Sequence, residues 1–183
     1  MIRLNRAQKG DYPWLKKLLL TAFPREERPP FALLRWRCRD NVDWWVIDDR
    51  AGFFYVIRGQ GLAYVFFFAI RPERRGQGLG TAAMKQLIEM YPGANLILAI
   101  EPLDPAAPNY SERVNRKRFY ERCGLRALNQ RVREGAVVYE LLGVNGPVDP
   151  AAYSALMDAW SFWPWRWIVP MEMVEEGIRQ RGT

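Results

Sequence analysis

The stretch Ile70-Arg71-Pro72-Glu73-Arg74-Arg75-Gly76-Gln77-Gly78-Leu79-Gly80-Thr81 decides how this chain folds. The nearly apolar run 63–70 leads into it, and a helix-compatible run, 81–90, leads out. A strand, a glycine-rich turn and a helix start together make an anion cradle. Glycine lets the backbone approach a ligand closely. The unpaired N–H groups of a helix's first turn then point at negative charge. The chain is therefore a candidate binder of a phosphorylated cofactor.

Two common readings of such a turn fail on spacing. Gly76-Gln77-Gly78-Leu79-Gly80 lacks the Gly-x-Gly-x-x-Gly spacing of dinucleotide folds. It also lacks the Gly-Lys-Ser/Thr ending that grips a triphosphate and its magnesium.

Around the turn, the pattern alternates between strand and helix. Residues 1–5 read as an edge strand. Asp11 is placed to cap a helix with Pro13 in its first turn, and Trp14, Leu15, Leu18, Leu19 and Ala22 recur at helical spacing. Pro24 ends it, 25–30 is a charged loop, and 31–39 reads as a second helix. Residues 44–48 and 53–57 form a hairpin around Asp49 and Gly52. Residues 62–70 are apolar enough for burial on both faces. The helix after the turn carries Gly80, Ala83, Met84, Leu87, Ile88 and Tyr91 on one stripe. With a buried strand at 95–100, the segment predicts a crossover unit with parallel strands. Asn109 with Glu112 resembles a capping box for a helix ending at Gly124. A late strand occupies 137–142, and Asp149 with Pro150 opens a last helix.

Composition narrows the chemistry. The length of 183 residues suits one domain with a substantial core. A net charge of +7 fits an anionic ligand without naming it. With no histidine in the chain, Ser-His-Asp and Cys-His catalysis and histidine metal sites are excluded. Proton transfer must fall to Glu, Asp, Tyr, Cys, Lys or water. Cys38 and Cys123 are too few for a disulfide framework, make a zinc site unexpected and fit a reducing, cytoplasmic setting. The N-terminus has no apolar core of signal-peptide type. No run reaches the roughly 18 apolar residues of a membrane span, so no membrane association is expected.

The segment Arg75-Gly76-Gln77-Gly78-Leu79-Gly80, preceded by Ile70-Arg71-Pro72, resembles motif A of the Gcn5-related N-acetyltransferases (GNAT), position by position. Downstream, Arg118-Phe119-Tyr120-Glu121-Arg122-Cys123-Gly124-Leu125 is similar to the family's helix ending in aromatic-Tyr-x-x-x-Gly-Phe. The resemblance implies an α/β (α+β) fold. Its central mixed, mostly antiparallel sheet carries helices on both faces, with a V-shaped splay between the strands ending near Ile70 and Ile100. It covers residues 1–142, so 1–145 is expected to be the acetyltransferase domain. Residues 146–183 are then a tryptophan-rich helical extension, packed on the domain or on a partner subunit, with a homodimer as one arrangement.

The resemblance also implies acetyl-coenzyme A (acetyl-CoA) as cofactor. Its pyrophosphate falls on Arg75, Gly76, Gln77, Gly78, Leu79, Gly80 and Thr81. Phe68, Ala69 and Ile70 lie against the pantetheine arm and the acetyl carbonyl, with the Ile70 N–H as oxyanion donor. Tyr120 would protonate the departing thiolate. Many members carry an asparagine seven positions before that tyrosine, where this chain has Arg113.

Direct transfer in a ternary complex needs no protein nucleophile, which suits a chain without histidine. Glu101, directly after the strand 95–100, is the candidate base, directly or through water, or a ligand for a cationic acceptor. Glu26 and Glu27 are candidates to bind the acceptor amine, of a small molecule or a peptide. Cys123 is expected to be a packed thiol. The basic run Arg113, Arg116, Lys117 and Arg118 is expected to be mostly a solvated helix face, one member reaching the 3′-phosphate of the coenzyme. Two other functions compete: a catalytically silent coenzyme-binding regulator of the same fold, and a basic nucleic-acid-binding module. Aromatic residues concentrated in apolar strands argue for core packing, and no nucleic-acid partner is expected.

Overall fold

The computed structural model describes residues 2–37, 41–161 and 171–174, the side chain of Glu26 excepted. In chain order the strands are β1 (Leu4–Arg6), β2 (Val42–Ile47), β3 (Gly52–Gly59), β4 (Leu62–Ile70), β5 (Asn95–Ile100), β6 (Arg126–Glu134), β7 (Val137–Gly143) and β8 (Met171–Val174). The α-helices are α1 (Tyr12–Ala22), α2 (Phe31–Trp36), α3 (Leu79–Met90), α4 (Tyr110–Arg122) and α5 (Pro150–Trp160). The described strands form a single sheet in the order β1-β2-β3-β4-β5-β7-β6-β8. Every pairing is antiparallel except β4 with β5. That exception follows from the crossover through α3, which returns the chain in the same direction.

Two apolar clusters sit on the two faces of the sheet. One gathers Leu15, Leu18 and Leu19 of α1, Leu34 of α2 and Tyr153, Leu156, Met157 and Trp160 of α5. The other gathers Ala83, Met84 and Leu87 of α3 with Cys123 and Leu125. The stripe read from the helical spacing of α3 is thus the stripe that packs. Burial of a side chain of that size is worth about 1.5–3 kcal/mol, so these faces hold the helices in place.

Strand β4 changes parity in mid-course. Tyr55 pairs with Phe67 while Val56 pairs with Val65, so Phe66 is an extra residue, a β-bulge. Ala63 and Val65 face the α3 cluster before the bulge, and Phe68 and Ile70 pack against that same cluster after it. Without the bulge, strict alternation would turn Phe68 and Ile70 to the other face. The first half of β4 is buried on both sides as expected. Its last residues alternate between buried and half-buried, because the sheet opens there.

Several local expectations are corrected. Asp11 does not cap α1 with its side chain. It accepts instead from the backbone N–H of Gln8, at 2.9 Å, and from Arg50. Asn109 does not close a capping box on α4, because its side chain is drawn to Glu101 and Arg113. Asp149 does cap α5, accepting from Ala151 N–H at 3.0 Å. Helix α2 ends at Trp36, and Cys38 lies outside the described residues. The C-terminal stretch is not helical alone: β8 pairs with β6 and lengthens the sheet. A four-residue strand in a tryptophan- and proline-rich context leaves no periodicity to read. Trp160 is buried and donates from Nε1 to the Tyr55 hydroxyl at 3.0 Å. Phe162, Trp163, Trp165 and Trp167 lie outside the described residues.

Candidate active site

Strands β4 and β5 stay together only at Leu62–Asn95, Ala63–Leu96 and Tyr64–Ile97. On its other edge β5 pairs with β7 from Ile97 to Ile100, while beyond Ile97 its pairing with β4 does not continue. The strands therefore splay, and a cavity of about 970 Å³ fills the opening. Phe68, Ala69 and Ile70 line one wall, and Leu98, Ala99, Ile100 and Glu101 line the other. Volumes of this size suit a ligand pocket of several hundred Å³.

The glycine turn forms one part of the cavity wall. Gly76 and Gly78 have φ of 73° and 74°, the left-handed region where glycine carries no steric penalty. Gly78 is the N-cap of α3, and no side chain caps the helix there. The first-turn N–H groups of α3 lack helix-internal acceptors, so they are donors in want of an anion. Arg75, Gly76, Gly78, Leu79, Gly80 and Thr81 all line the cavity, and Arg74 and Arg122 add positive charge. Gln77 does not line it: its side chain turns back to donate to the Glu73 carbonyl at 3.3 Å. Arg75 donates from Nε to the Ile70 carbonyl at 3.1 Å, tying the turn to the end of β4. Arg122 was missed in the sequence reading because α4 carries no apolar stripe to orient it, and Arg74 because the single turn Pro72–Arg74 is too short to show a face.

Tyr120 reaches the cavity from α4. Burial pushes its phenol up to about 12, with Cys123 adding to the rise and Arg116 opposing it. The group is therefore protonated at neutral pH. Phe119 stacks on Phe68 with ring centroids 6.0 Å apart and packs against the space beside Gly80. That contact holds the α4 end against the turn. Cys123 is buried and does not line the cavity, and burial pushes its thiol up, away from nucleophilic use.

Glu101 is already engaged. Its carboxylate pairs with Arg113 at 2.9 Å and Arg116 at 3.0 Å, and Asn109 Nδ2 approaches it at 3.4 Å. Arg113 also donates to Asn109 Oδ1 and to the Pro102 carbonyl, closing the link between β5 and α4. The basic run is thus not mainly a solvated face. Lys117 pairs with Glu140 at 2.7 Å, so three of its four members hold α4 to the sheet.

Elsewhere on the wall, Glu27, Tyr64, Glu134 and Tyr139 come together, with Ala22, Phe23 and Pro24 from the end of α1. Glu27 is brought in; the Glu26 side chain lies outside the described residues. Glu134 is a further residue that the sequence reading missed. Its carboxylate accepts from the Tyr64 hydroxyl, and from the Tyr153 hydroxyl at 3.3 Å. Burial raises it to about 7; the two hydroxyls pull downward and the Glu27 charge pushes upward. Tyr139 is raised by burial and by the charges of Glu27, Glu134 and Glu101. A signal was present: Glu134 lies two residues from the buried Val132, on its face of β6.

A family model described as the acetyltransferase (GNAT) family matches residues 11–125. The chain belongs to that family. GNAT acetyltransferases take their acetyl group from acetyl-CoA, and the uncapped α3 N-terminus, the open glycine turn and the nearby arginines fit its pyrophosphate. Similar solved structures agree on the fold. A GNAT-family protein from Bacteroides thetaiotaomicron is 22% identical, with a TM-score of 0.67 over 85% of this chain and 93% of that one. The ribosomal-protein-S18-alanine N-acetyltransferase from Escherichia coli is 17% identical, with a TM-score of 0.58 over 81% and 97%. A Bacillus subtilis acetyltransferase in complex with coenzyme A is 14% identical, with a TM-score of 0.55 over 78% and 96%. No curated protein matches this sequence. Among the described residues, none of the helices is long and apolar enough to cross a membrane, and no group of ligands suits a metal ion.

Proposed function

We propose that this GNAT acetyltransferase moves the acetyl group of acetyl-CoA to a primary amine, of a small molecule or a peptide, by direct transfer in a ternary complex. The observation that carries the reading is the cavity itself. One continuous space is lined by the anion cradle at Gly76–Gly80, by the end of β4, by Tyr120 and by a group of carboxylates. Both reactants therefore have a place within reach of one another, which is the condition for direct attack.

Each group has a task. The turn from Arg75 to Thr81 holds the pyrophosphate, with Gln77 contributing through its backbone. Phe68, Ala69 and Ile70 align the pantetheine arm, and the Ile70 N–H supports the charge developing on the acetyl oxygen. Tyr120 donates to the departing sulfur. With a phenol near 12 and an ordinary thiol near 8.5, full early transfer would be uphill by roughly 5 kcal/mol. Tyr120 therefore acts as a hydrogen-bond donor while charge builds, and gives up its proton only as the amine nitrogen loses one. Glu101 keeps α4 and β5 in register through Arg113 and Arg116, and Glu27 contributes negative charge to the acceptor end.

The test is acetyl-CoA turnover across a panel of metabolite amines and peptides, with coenzyme binding measured in parallel. Transfer to at least one amine, with Tyr120→Phe lowering kcat but not coenzyme affinity, is the expected result. Coenzyme binding with no transfer to any amine would favour the silent regulator.

A further inference from the structure

We propose that Glu134 takes the proton from the acceptor, which enters as an ammonium ion and docks between Glu134, Glu27 and Tyr139. This rests on the reading of the protein as an N-acetyltransferase.

Three carboxylates line the cavity within the described residues: Glu27, Glu101 and Glu134. They are not equivalent. Each oxygen of Glu101 is paired with a guanidinium group, of Arg113 or of Arg116. Glu134 is held by neutral donors. The hydroxyls of Tyr64 and Tyr153 both reach Oε1, and among the described residues no donor reaches Oε2 and no lysine or arginine pairs with the carboxylate. Hydroxyls orient a carboxylate without neutralising it. With no cation paired to it among the described residues, Glu134 suits a ligand that brings its own positive charge, and an ammonium group supplies it.

The surroundings point the same way. Tyr64 reaches Glu134 from β4, Tyr153 from α5 and Tyr139 from β7, and Glu27 faces it from the turn after α1. On β8 its paired residue is Met171, while Glu172 is turned to Arg133. Among the described residues, the titratable groups that act on Glu134 are neutral or negative. Burial raises Glu134 to about 7, so the group both ionises and accepts a proton in the working range.

The step balances. The ammonium passes one proton to Oε2 of Glu134 and becomes a free amine. Its nitrogen forms a bond to the acetyl carbon, and the carbon–sulfur bond breaks with its electron pair left on sulfur. Tyr120 protonates that sulfur and recovers a proton from the acylated nitrogen. Glu134 then loses its proton to water, so one proton is released per turnover.

The experiment compares wild type with E134Q and Tyr153→Phe. For each, kcat/KM is measured from pH 5.5 to 9 with the best amine of the panel, and acetyl-CoA affinity is measured directly. Wild type is expected to lose kcat/KM below about pH 7, since an acid of that pKa must be ionised to act. E134Q is expected to lose ~10²- to 10⁴-fold in kcat/KM with the acidic limb abolished and coenzyme affinity unchanged. Tyr153→Phe removes a contact that lowers Glu134, so its acidic limb moves to higher pH. E134Q within tenfold of wild type, or with its acidic limb intact, overturns the proposal while leaving the acetyltransferase reading in place. If the wild type binds acetyl-CoA and acetylates no amine, the underlying reading falls and takes this one with it. Should E134Q not fold, an unmoved limb in Tyr153→Phe is the refuting result.

Discussion

Replacing Gly78 by alanine separates the two things a glycine does at this turn. Gly78 has φ of 74°, and a Cβ placed there meets nothing within 4 Å. The cost to folding is therefore conformational and not steric, about 1–2 kcal/mol for an L-residue in the left-handed region. For a chain of this size that is roughly a 2–8 °C fall in Tm. A matched control lies just beyond the other end of α3. Gly93 has φ of 82°, its Cβ would also meet nothing within 4 Å, and it does not line the cavity. Gly93→Ala should lower Tm by a similar amount. The difference lies in coenzyme binding. If the turn relaxes away from its left-handed geometry, the N–H groups at the start of α3 lose their aim at the pyrophosphate. A hydrogen bond to a charged group is worth about 1.5–3 kcal/mol, so losing one weakens binding roughly 10- to 150-fold. Calorimetric titration with coenzyme A on both variants is the assay. Equal affinities in Gly78→Ala and Gly93→Ala, beside equal losses in Tm, would show that the turn does not bind the coenzyme.

Other outcomes follow from the same geometry. Tyr120→Phe should lower kcat by about 10- to 100-fold with unchanged coenzyme affinity, because only the departing thiolate feels the loss; a variant with wild-type kcat removes Tyr120 from the mechanism. Glu101→Gln should lower Tm and raise the KM for the amine while leaving the acidic limb of the pH profile in place, since its work is to hold Arg113 and Arg116; disappearance of that limb would restore Glu101 as the base. Asp43, which is 3% exposed, accepts from Arg6, Arg58 and the Tyr91 hydroxyl. Asp43→Ala should destabilise by about 2–4 kcal/mol, discounted for the exposed arginines, as read by denaturant unfolding. Finally, Glu134 has a folded-state pKa raised above its unfolded value of about 4.5, so its ionisation opposes folding above pH 7 and costs nothing below about pH 4.5. Measured by thermal melts, E134Q should therefore be stabilised relative to wild type at pH 8 and show no such gain at pH 4.5.

The glycine turn and the strand and helix around it, which line one half of the cavity, were legible in the sequence because backbone builds them. Backbone geometry leaves local marks: glycines at Gly76, Gly78 and Gly80, an apolar strand before them and a helical stripe after them. The acceptor half is built from side chains carried by separate elements. Glu27 comes from the turn after α1, Glu134 from β6, Tyr139 from β7 and Tyr153 from α5. Nothing in the spacing of those residues along the chain reports their meeting. The Glu101 assignment shows the same limit from the other side. Its place at the end of β5 was readable, and its two guanidinium partners were not, because they depend on how α4 lies across the strand. The capping box at Asn109 failed for that reason too, since a nearby carboxylate and guanidinium outbid the helix's own N–H groups.

That division also bears on how such a chain acquires its acceptor. The cradle uses the N–H groups of α3, which exist in any helix, so its ligand is set by the fold. Selection of an amine depends instead on Glu134, and Glu134 is placed by pairing β6 with both β7 and β8 and by the packing of α5. Trp160 anchors α5 through the Tyr55 hydroxyl and the aromatic face of Phe66, the bulged residue of β4. The bulge that turns Phe68 and Ile70 to the α3 side thus also seats the helix that brings Tyr153 to Glu134. A perturbation of Trp160 should consequently be felt in acceptor selection as well as in stability. Trp160→Phe keeps most of the apolar contact but loses the Nε1 hydrogen bond, a change of about 1 kcal/mol in folding. If the coupling through α5 is real, the variant raises the KM for the amine and shifts the acidic limb while its coenzyme affinity stays that of wild type. A purely global loosening would weaken both substrates together.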